Sequence, residues 1–528
     1  MNNSKIFLYY GIVLLTILAL ANCSQDLSVT NENNPDKDRA LSRPLDVESL
    51  IGGSYQSYWN QGTHRQEPPM TLSVMADEMT SSWGNFAMQE MSSEPRQAWN
   101  NFITYDADYR HVNEFPWFSN YAAISDASDG LKAIADGLRL VDDEGNDNTM
   151  RGKAFAKFVQ GVALGFVSLF FDQGFILDET VDLETDVLEL RPYNEVFAAA
   201  LQHLNDCIAI CDANSFTLPD SWINGRALTN DELARVAHSY AARYMASVAR
   251  SPEERAAADW AAIINHIDNG ITYDFTVEGG GTNSAWWFGL HLNGMHDLWV
   301  RTDYKCIGPA DTSGNYQAWL DTPVADRMPF MIETPDRRVT GDSAHIDGTD
   351  FAYYGQPYHR PDRGTYHFSY YHSYRYFDHL ANDGLTPMME IMLAEMDLLK
   401  AEALLRTAND GASAVELINK TRVSRGQLPP ATAGNIGSST DERAMNGSVW
   451  AMLKYEKGIE CFAAGVGVAF WDRRGWGDLI SGTALHFPIP AQEIETLQME
   501  TYTFGGDKGG TAPKRAPKPL AWQNVSYY

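Results

Sequence analysis

RGKAFAKFVQGVALGFVSLFF, residues 151–171, carries Phe155, Phe158, Val159, Val162, Phe166, Leu169 and Phe170 at steps of three and four. That spacing sets them on one side of an α-helix and predicts a helix buried in a helical core. The same periodicity recurs in Phe197, Ala200, Leu201, Leu204, Ile208 and Cys211, in Leu233, Val236, Ala237, Tyr240, Tyr244 and Val248, and in Met389, Met392, Leu393, Met396, Leu399 and Ala403. Thr229 with Glu232 reads as a capping box opening the helix that holds Leu233. The chain is therefore expected to be mainly α.

Helices near 119–138 and 151–171 begin about 32 residues apart, and those near 193 and 231 about 38 apart. These intervals approximate the tetratricopeptide helical hairpin, with an irregular helical bundle as the alternative. Between about 271 and 386 the pattern dissolves into glycine, polar residues and aromatics, as in EGGGTNSAWWFGLHLNGMHDLW and GTYHFSYYHSYRYFDH. Long irregular stretches within compact domains often carry function, so this one reads as an excursion from the scaffold, with helices resuming at 387.

The N-terminal residues give an address. Lys5 precedes an apolar run over 7–21, which turns polar at Asn22-Cys23-Ser24. A run of about 15 apolar residues is short for a hydrocarbon core of about 30 Å, and reads as a signal peptide over 1–22. The expected sequel is diacylation of Cys23, with a plain secretory signal as the alternative, then a polar tether over 23–43 and a single domain over 44–528. No later segment reads as a membrane span.

The formal charge is −29, and residues 1–22 contribute only Lys5, so the remainder carries −30. A chain this acidic is a poor partner for nucleic acid. Aromatic residues at 12% and hydrophobic ones at 44% suffice for a large core. Cys207 and Cys211 lie four apart on one apolar stripe and read as core thiols, while Cys306 and Cys461 stand alone, so neither a disulfide framework nor a CxxC zinc site is expected.

The ordered set of motifs resembles the SusD/RagB family of nutrient-binding outer-membrane lipoproteins. It comprises LSVTNENNP (27–35) after Cys23, RGKA (151–154) opening a long helix, Glu402-Ala403, INKTR (418–422) followed by Arg425-Gly426, and FPIPAQEI (487–494). Where the family shows Glu-Gly-x-Arg before Asp-x-Arg-Arg, this chain has ECFAAGVG (460–467) before Trp471-Asp472-Arg473-Arg474. The resemblance implies a SusD-like α-α superhelix of tetratricopeptide-like hairpins, lipid-anchored on the outer membrane and facing outward. It further implies capture of an oligosaccharide or peptide and its delivery to a SusC-like TonB-dependent outer-membrane transporter.

The residues themselves also favour binding over catalysis, because aromatic rings in loops offer faces on which a sugar ring can stack while polar neighbours meet its hydroxyls. The candidates are Trp83 and Asn85 in MADEMTSSWGNF, Trp286 and Trp287 in the glycine-rich loop, then Trp299 and Tyr304, with Arg301 and Asp303 as hydroxyl partners. Each has ordinary packing as its alternative. No catalytic residue, cofactor or metal is expected. His359, His367, His372 and His379 are spaced by eight, five and seven, which matches no common ligand motif, and Asp77-Glu78 reads as a helix-end charge pair. A surface glycoside hydrolase and a protein-binding helical scaffold stand as the other readings.

Overall fold

The computed structural model describes residues 41–65, 67–182, 185–341, 347–355 and 369–506. Cys23, the leader, the tether through residue 40, His359 and His367 lie outside the described residues.

Helix α1 (Pro44–Ser57) continues into a π-turn over Tyr58–His64, and α2 (Pro69–Met75) leads to the short strand β1 (Met79–Thr80). Helices α3 (Ala107–Ala135) and α4 (Thr149–Phe170) form a long hairpin. A small antiparallel pair, β2 (Gln173–Phe175) with β3 (Leu190–Pro192), then feeds α5 (Tyr193–Ala213), which packs on α6 (Asn230–Ser247), and α7 (Trp260–Asp268) packs on α6 in turn.

Strand β4 (Phe275–Val277) opens the expected excursion, which also holds β5 (Arg301–Thr302), helix α8 (Tyr304–Ile307), β6 (Phe351–Tyr353) and β7 (Tyr371–Ser373). The chain returns through β8 (Met388–Ile391) to α9 (Leu393–Ala408), α10 (Gly411–Ser424), α11 (Val449–Glu460) and α12 (Val468–Trp476). Among the described residues every sheet is a two-stranded antiparallel ladder: β1–β5, β2–β3, β4–β8 and β6–β7. The architecture is mainly α.

The stretch that opened the sequence reading forms the centre. Phe155, Phe158, Val159, Val162 and Phe170 of α4 have no exposed surface. Helix α4 is long and apolar enough to cross a membrane by length and composition, yet it lies buried among α1, α3, α5 and α6. Its glycines set the spacing: a Cβ on Gly161 would sit 2.7 Å from Leu204 Cγ of α5, and one on Gly165 2.3 Å from the Tyr244 ring of α6. Both neighbours approach closer than any side chain would allow.

The capping box forms as expected, with the Thr229 hydroxyl accepting from the Glu232 N–H and the Glu232 carboxylate accepting from the Thr229 N–H. Cys207 and Cys211 are buried free thiols, their Sγ atoms 4.0 Å apart, and Cys306 and Cys461 are buried and free as well.

Two boundaries differ from expectation. Helix α3 begins at Ala107, where Asp106 caps it by accepting from the Tyr109 N–H, and runs through Pro116. Proline lacks the N–H that would bond the Val112 carbonyl one turn back, and Asn120 Nδ2 donates to the Pro116 carbonyl at 2.6 Å. Past the excursion, residues 388–391 are a strand and not a helix, because Met388, Met389 and Ile391 pair with β4 before the chain turns helical at Leu393.

Buried ion pairs tie the halves of the chain together. Arg243 of α6 grips Glu395 through Nε at 2.8 Å and Nη2 at 2.6 Å, and its Nη1 reaches Glu390 of β8 at 3.1 Å. Arg255 binds Glu402 of α9 in the same two-pronged manner, at 2.8 and 2.7 Å, and also Asp472 of α12 at 2.9 Å. A guanidinium so paired keeps its charge out of water, since the carboxylates replace the lost hydration.

Candidate functional site

The β1–β5 ladder sets Met79 opposite Thr302 and Thr80 opposite Arg301, so the loops that leave these strands emerge side by side. Ser81 Oγ donates to the Trp299 carbonyl at 2.6 Å, and the Trp83 N–H donates back to Ser81 Oγ at 3.1 Å. The Trp83 indole N–H donates to the Leu298 carbonyl at 3.0 Å. Trp83 is thus fixed by its polar edge while 38% of the residue stays exposed, an orientation that turns a ring outward and limits its rotamers.

Behind this ring, Phe86 stacks on Trp299 at 5.7 Å. Asn85 opens a 3-10 turn in which Phe86 and Ala87 both take φ near +55°, strained for residues with a Cβ. The Thr71 hydroxyl, donating to the Phe86 carbonyl at 2.5 Å, secures that turn to α2. Asn85 and Trp299 are half-buried. Trp83, Asn85 and Trp299, distant in sequence, therefore share one loop pair.

The β6–β7 hairpin lies against β5 and extends this surface. Tyr354, at the end of β6, is 41% exposed, with the Arg301 guanidinium 5.6 Å from its ring and His372 5.4 Å away on the other strand. Burial, reinforced by the Arg301 charge, holds the His372 imidazole down to about 4, so it is neutral at ordinary pH. Tyr354 carried no signal in the sequence beyond its place in an aromatic-rich run. Its place beside Arg301 comes from packing between two separate ladders that residue order does not reveal.

Three candidates lie elsewhere. Trp286 is 7% exposed and packs between Tyr55 and Trp59, with ring centroids at 6.3 and 6.0 Å. Trp287 is 5% exposed, and its carbonyl accepts from the Trp59 indole at 3.3 Å. The glycine-rich loop folds inward over α1, because Gly279 and Gly281 donate to Thr386 and Gly384 carbonyls at 3.2 and 3.0 Å and pin it against the chain entering β8. Tyr304 is 2% exposed: its hydroxyl donates to the Phe330 carbonyl at 2.6 Å and its ring stacks on Phe330 at 4.3 Å. As stacking platforms for a ligand these three rings are corrected to core and support.

Arg301 and Asp303 are likewise buried, beneath the loop pair and not at its rim. Asp303 caps α8 by accepting from the Lys305 N–H at 2.7 Å; burial raises its carboxyl to about 6, with Asp77 adding to the effect. Asp77 and Glu78 follow the end of α2, as read from the sequence, and both are buried. Asp77 accepts from Arg96 at 2.6 Å and faces Lys305 at 3.5 Å, while Glu78 accepts from Ser73 at 2.8 Å and the Ala463 N–H at 2.8 Å. These buried contacts fix the base of β1, and with it the angle at which the Trp83 loop leaves the body.

Thr63, His64 and Glu390 line up like a hydroxyl nucleophile, its base and an acid, with 2.5 and 2.6 Å separations. Thr63 and His64 are wholly buried and Glu390 nearly so, and the Thr63 hydroxyl also lies 3.0 Å from the Tyr58 carbonyl, so the three groups are enclosed within the body. The trio joins the π-turn to β8. Among the described residues no group of three or more metal-ligating side chains converges, and His372 and His379 are buried apart from any such set.

No protein-family model matches the chain, and none of the curated proteins matches it in sequence. Solved structures do share its fold. A SusD homolog from Bacteroides thetaiotaomicron superposes with a TM-score of 0.55 at 12% identity, over 88% of this chain and 98% of that one. A SusD superfamily protein from the same organism gives 0.53 at 17% identity, over 86% and 97%. The fold is that of the SusD superfamily. A third SusD-like structure, a laminarin-binding protein, gives 0.51 at 14% identity, over 86% and 97%. At such identities the SusD-like path of the chain is shared while the side chains are largely this protein's own, so the site rests on the contacts above.

Proposed function

We propose that this chain is a non-catalytic binding protein that captures a glycan on the loop pair carrying Trp83 and Trp299. The observation that carries the reading is the Trp83 ring, tethered by its indole N–H to Leu298 and turned to solvent beside polar Asn85. A sugar ring lays its C–H face on such an indole, and its hydroxyls exchange water for side-chain partners at the rim. The laminarin-binding activity of one SusD-like neighbour supports a glycan over a peptide.

The leader ending at Cys23 and the motif order support a lipid-anchored protein facing outward from the outer membrane, working with a SusC-like TonB-dependent transporter. A dually acylated cysteine gives stable anchoring, which a capture protein needs if the ligand is to pass to a channel in the same membrane. The test is retardation of the purified mature chain in gels containing laminarin and other polysaccharides. Retardation by at least one, weakened in Trp83→Ala, supports the reading; mobility unchanged in all of them overturns it.

A further inference from the structure

Arg301 and Asp303 are buried, so the hydroxyl partners that the sequence suggested do not line the rim of the Trp83 surface. The turn that enters β5 carries two other polar side chains, His296 and Asp297. It is the turn whose Leu298 carbonyl accepts from the Trp83 indole.

His296 is held in one orientation. Its Nδ1 accepts from the Leu298 N–H at 3.2 Å, and its carbonyl accepts from the Trp299 N–H at 3.0 Å. A ring nitrogen that accepts carries no proton, so the N–H of this imidazole is at Nε2, away from the backbone contact. The ring lies 6.3 Å from that of Trp299, and 36% of the side chain is exposed.

Asp297 is held through its main chain, where its carbonyl accepts from Arg301 Nη1. Its side chain is 43% exposed, and the nearer carboxylate oxygen is 3.7 Å from His296 Nδ1, too far for a hydrogen bond. Neither His296 Nε2 nor the Asp297 carboxylate has a hydrogen-bond partner among the described residues. A fixed donor and a fixed acceptor therefore stand side by side, next to the exposed Trp83 ring and the exposed Leu298 side chain.

Given glycan capture on the Trp83 face, on which this reading rests, we infer that His296 and Asp297 are its specificity-determining residues. His296 Nε2 donates to one sugar hydroxyl and the Asp297 carboxylate accepts from a neighbouring one, which selects a neutral glycan with adjacent free hydroxyl groups. A hydroxyl donating to a carboxylate gains a charge-assisted bond, whereas a uronate brought beside Asp297 meets a like charge. The Leu298 N–H and Arg301 hold the pair before a ligand arrives, so binding leaves little of the turn to be ordered.

The test is affinity electrophoresis in laminarin and other neutral polysaccharides of wild type, Trp83→Ala, His296→Asn and Asp297→Ala, with wild type also run in polygalacturonate. Asparagine at 296 keeps an acceptor for the Leu298 N–H and removes the outward donor. His296→Asn and Asp297→Ala should each bind roughly tenfold more weakly, with melting temperatures within about 2 °C of wild type. Polygalacturonate should retard the wild type less than the neutral polymer does. Retardation that falls in Trp83→Ala yet is unchanged in His296→Asn or Asp297→Ala overturns this assignment and leaves the Trp83 surface standing. Polygalacturonate retarding the wild type as strongly as the neutral polymer also overturns it, and that comparison stands even if a variant does not fold. Retardation of no protein by any polymer overturns glycan capture itself, and the assignment with it.

Discussion

Thr80 faces Arg301 across a ladder only two residues long, and that pairing brings the Trp83 indole to within 3.0 Å of the Leu298 carbonyl. A contact between residues 215 apart in sequence is thus made by two short strands, with buried Asp77 and Glu78 anchoring one and Asp303 the other. The Trp83 ring is presented by a rigid base, which reduces the ordering cost of binding.

Trp83→Ala should weaken glycan binding tenfold to a hundredfold, the loss of about 1–3 kcal/mol expected when an aromatic anchor is truncated. Its cost to folding should be about 1–3 kcal/mol, since the indole hydrogen bond and the buried part of the ring are lost. Binding titration and chemical denaturation on the same preparation check both.

Trp286→Ala should do the reverse. The ring is buried against Tyr55 and Trp59, so its removal should cost about 3–5 kcal/mol of stability. Any loss of binding should track the unfolded fraction; a stable variant that fails to bind would return Trp286 to the ligand surface.

Arg243→Met should destabilise by about 3–5 kcal/mol, because it strands Glu390 and Glu395 without their shared cation. The triple change Arg243→Met, Glu390→Gln, Glu395→Gln should recover much of that loss. Urea midpoints for the two variants test this.

Asp172 accepts from the Tyr502 hydroxyl at 2.9 Å, and burial raises its carboxyl to about 7. Between about pH 4 and 7 the folded chain then holds a proton that the unfolded chain has released, so this group's contribution to stability falls as pH rises through that window. Asp172→Asn should therefore be more stable than wild type at pH 8, by on the order of 1–2 kcal/mol, with no advantage at pH 4. Melting curves at the two pH values give the comparison.

The helical scaffold was readable because its signal is local. Phe155 to Phe170 lie on one helix, and the Thr229 box spans four residues, so short-range periodicity and capping suffice. The motifs that carried the resemblance prove to be structural: Glu402 binds Arg255, Asp472 binds Arg255 and Lys457, Arg422 donates to the Met445 carbonyl at 2.7 Å, and Phe487 stacks on Phe170 at 4.3 Å.

Within the candidate site only part was legible. Trp83 and Trp299 stood out as loop aromatics, and the structure sets their two loops side by side. Trp286, Trp287 and Tyr304 looked identical by composition, yet a tryptophan in a loop is exposed or buried according to what the loop packs against. That depends on β8, more than one hundred residues from Trp286 in sequence, and on Phe330. Tyr354 and His372 come to the loop pair because the β6–β7 ladder packs against β5, a tertiary contact that no local pattern encodes.

The most direct test is affinity electrophoresis of the wild-type mature chain and Trp83→Ala side by side in gels carrying a panel of neutral polysaccharides. The account predicts that at least one polysaccharide retards the wild type strongly and the folded variant weakly or not at all. Equal retardation of the two proteins by every polysaccharide that binds, or retardation of neither by any, would contradict it.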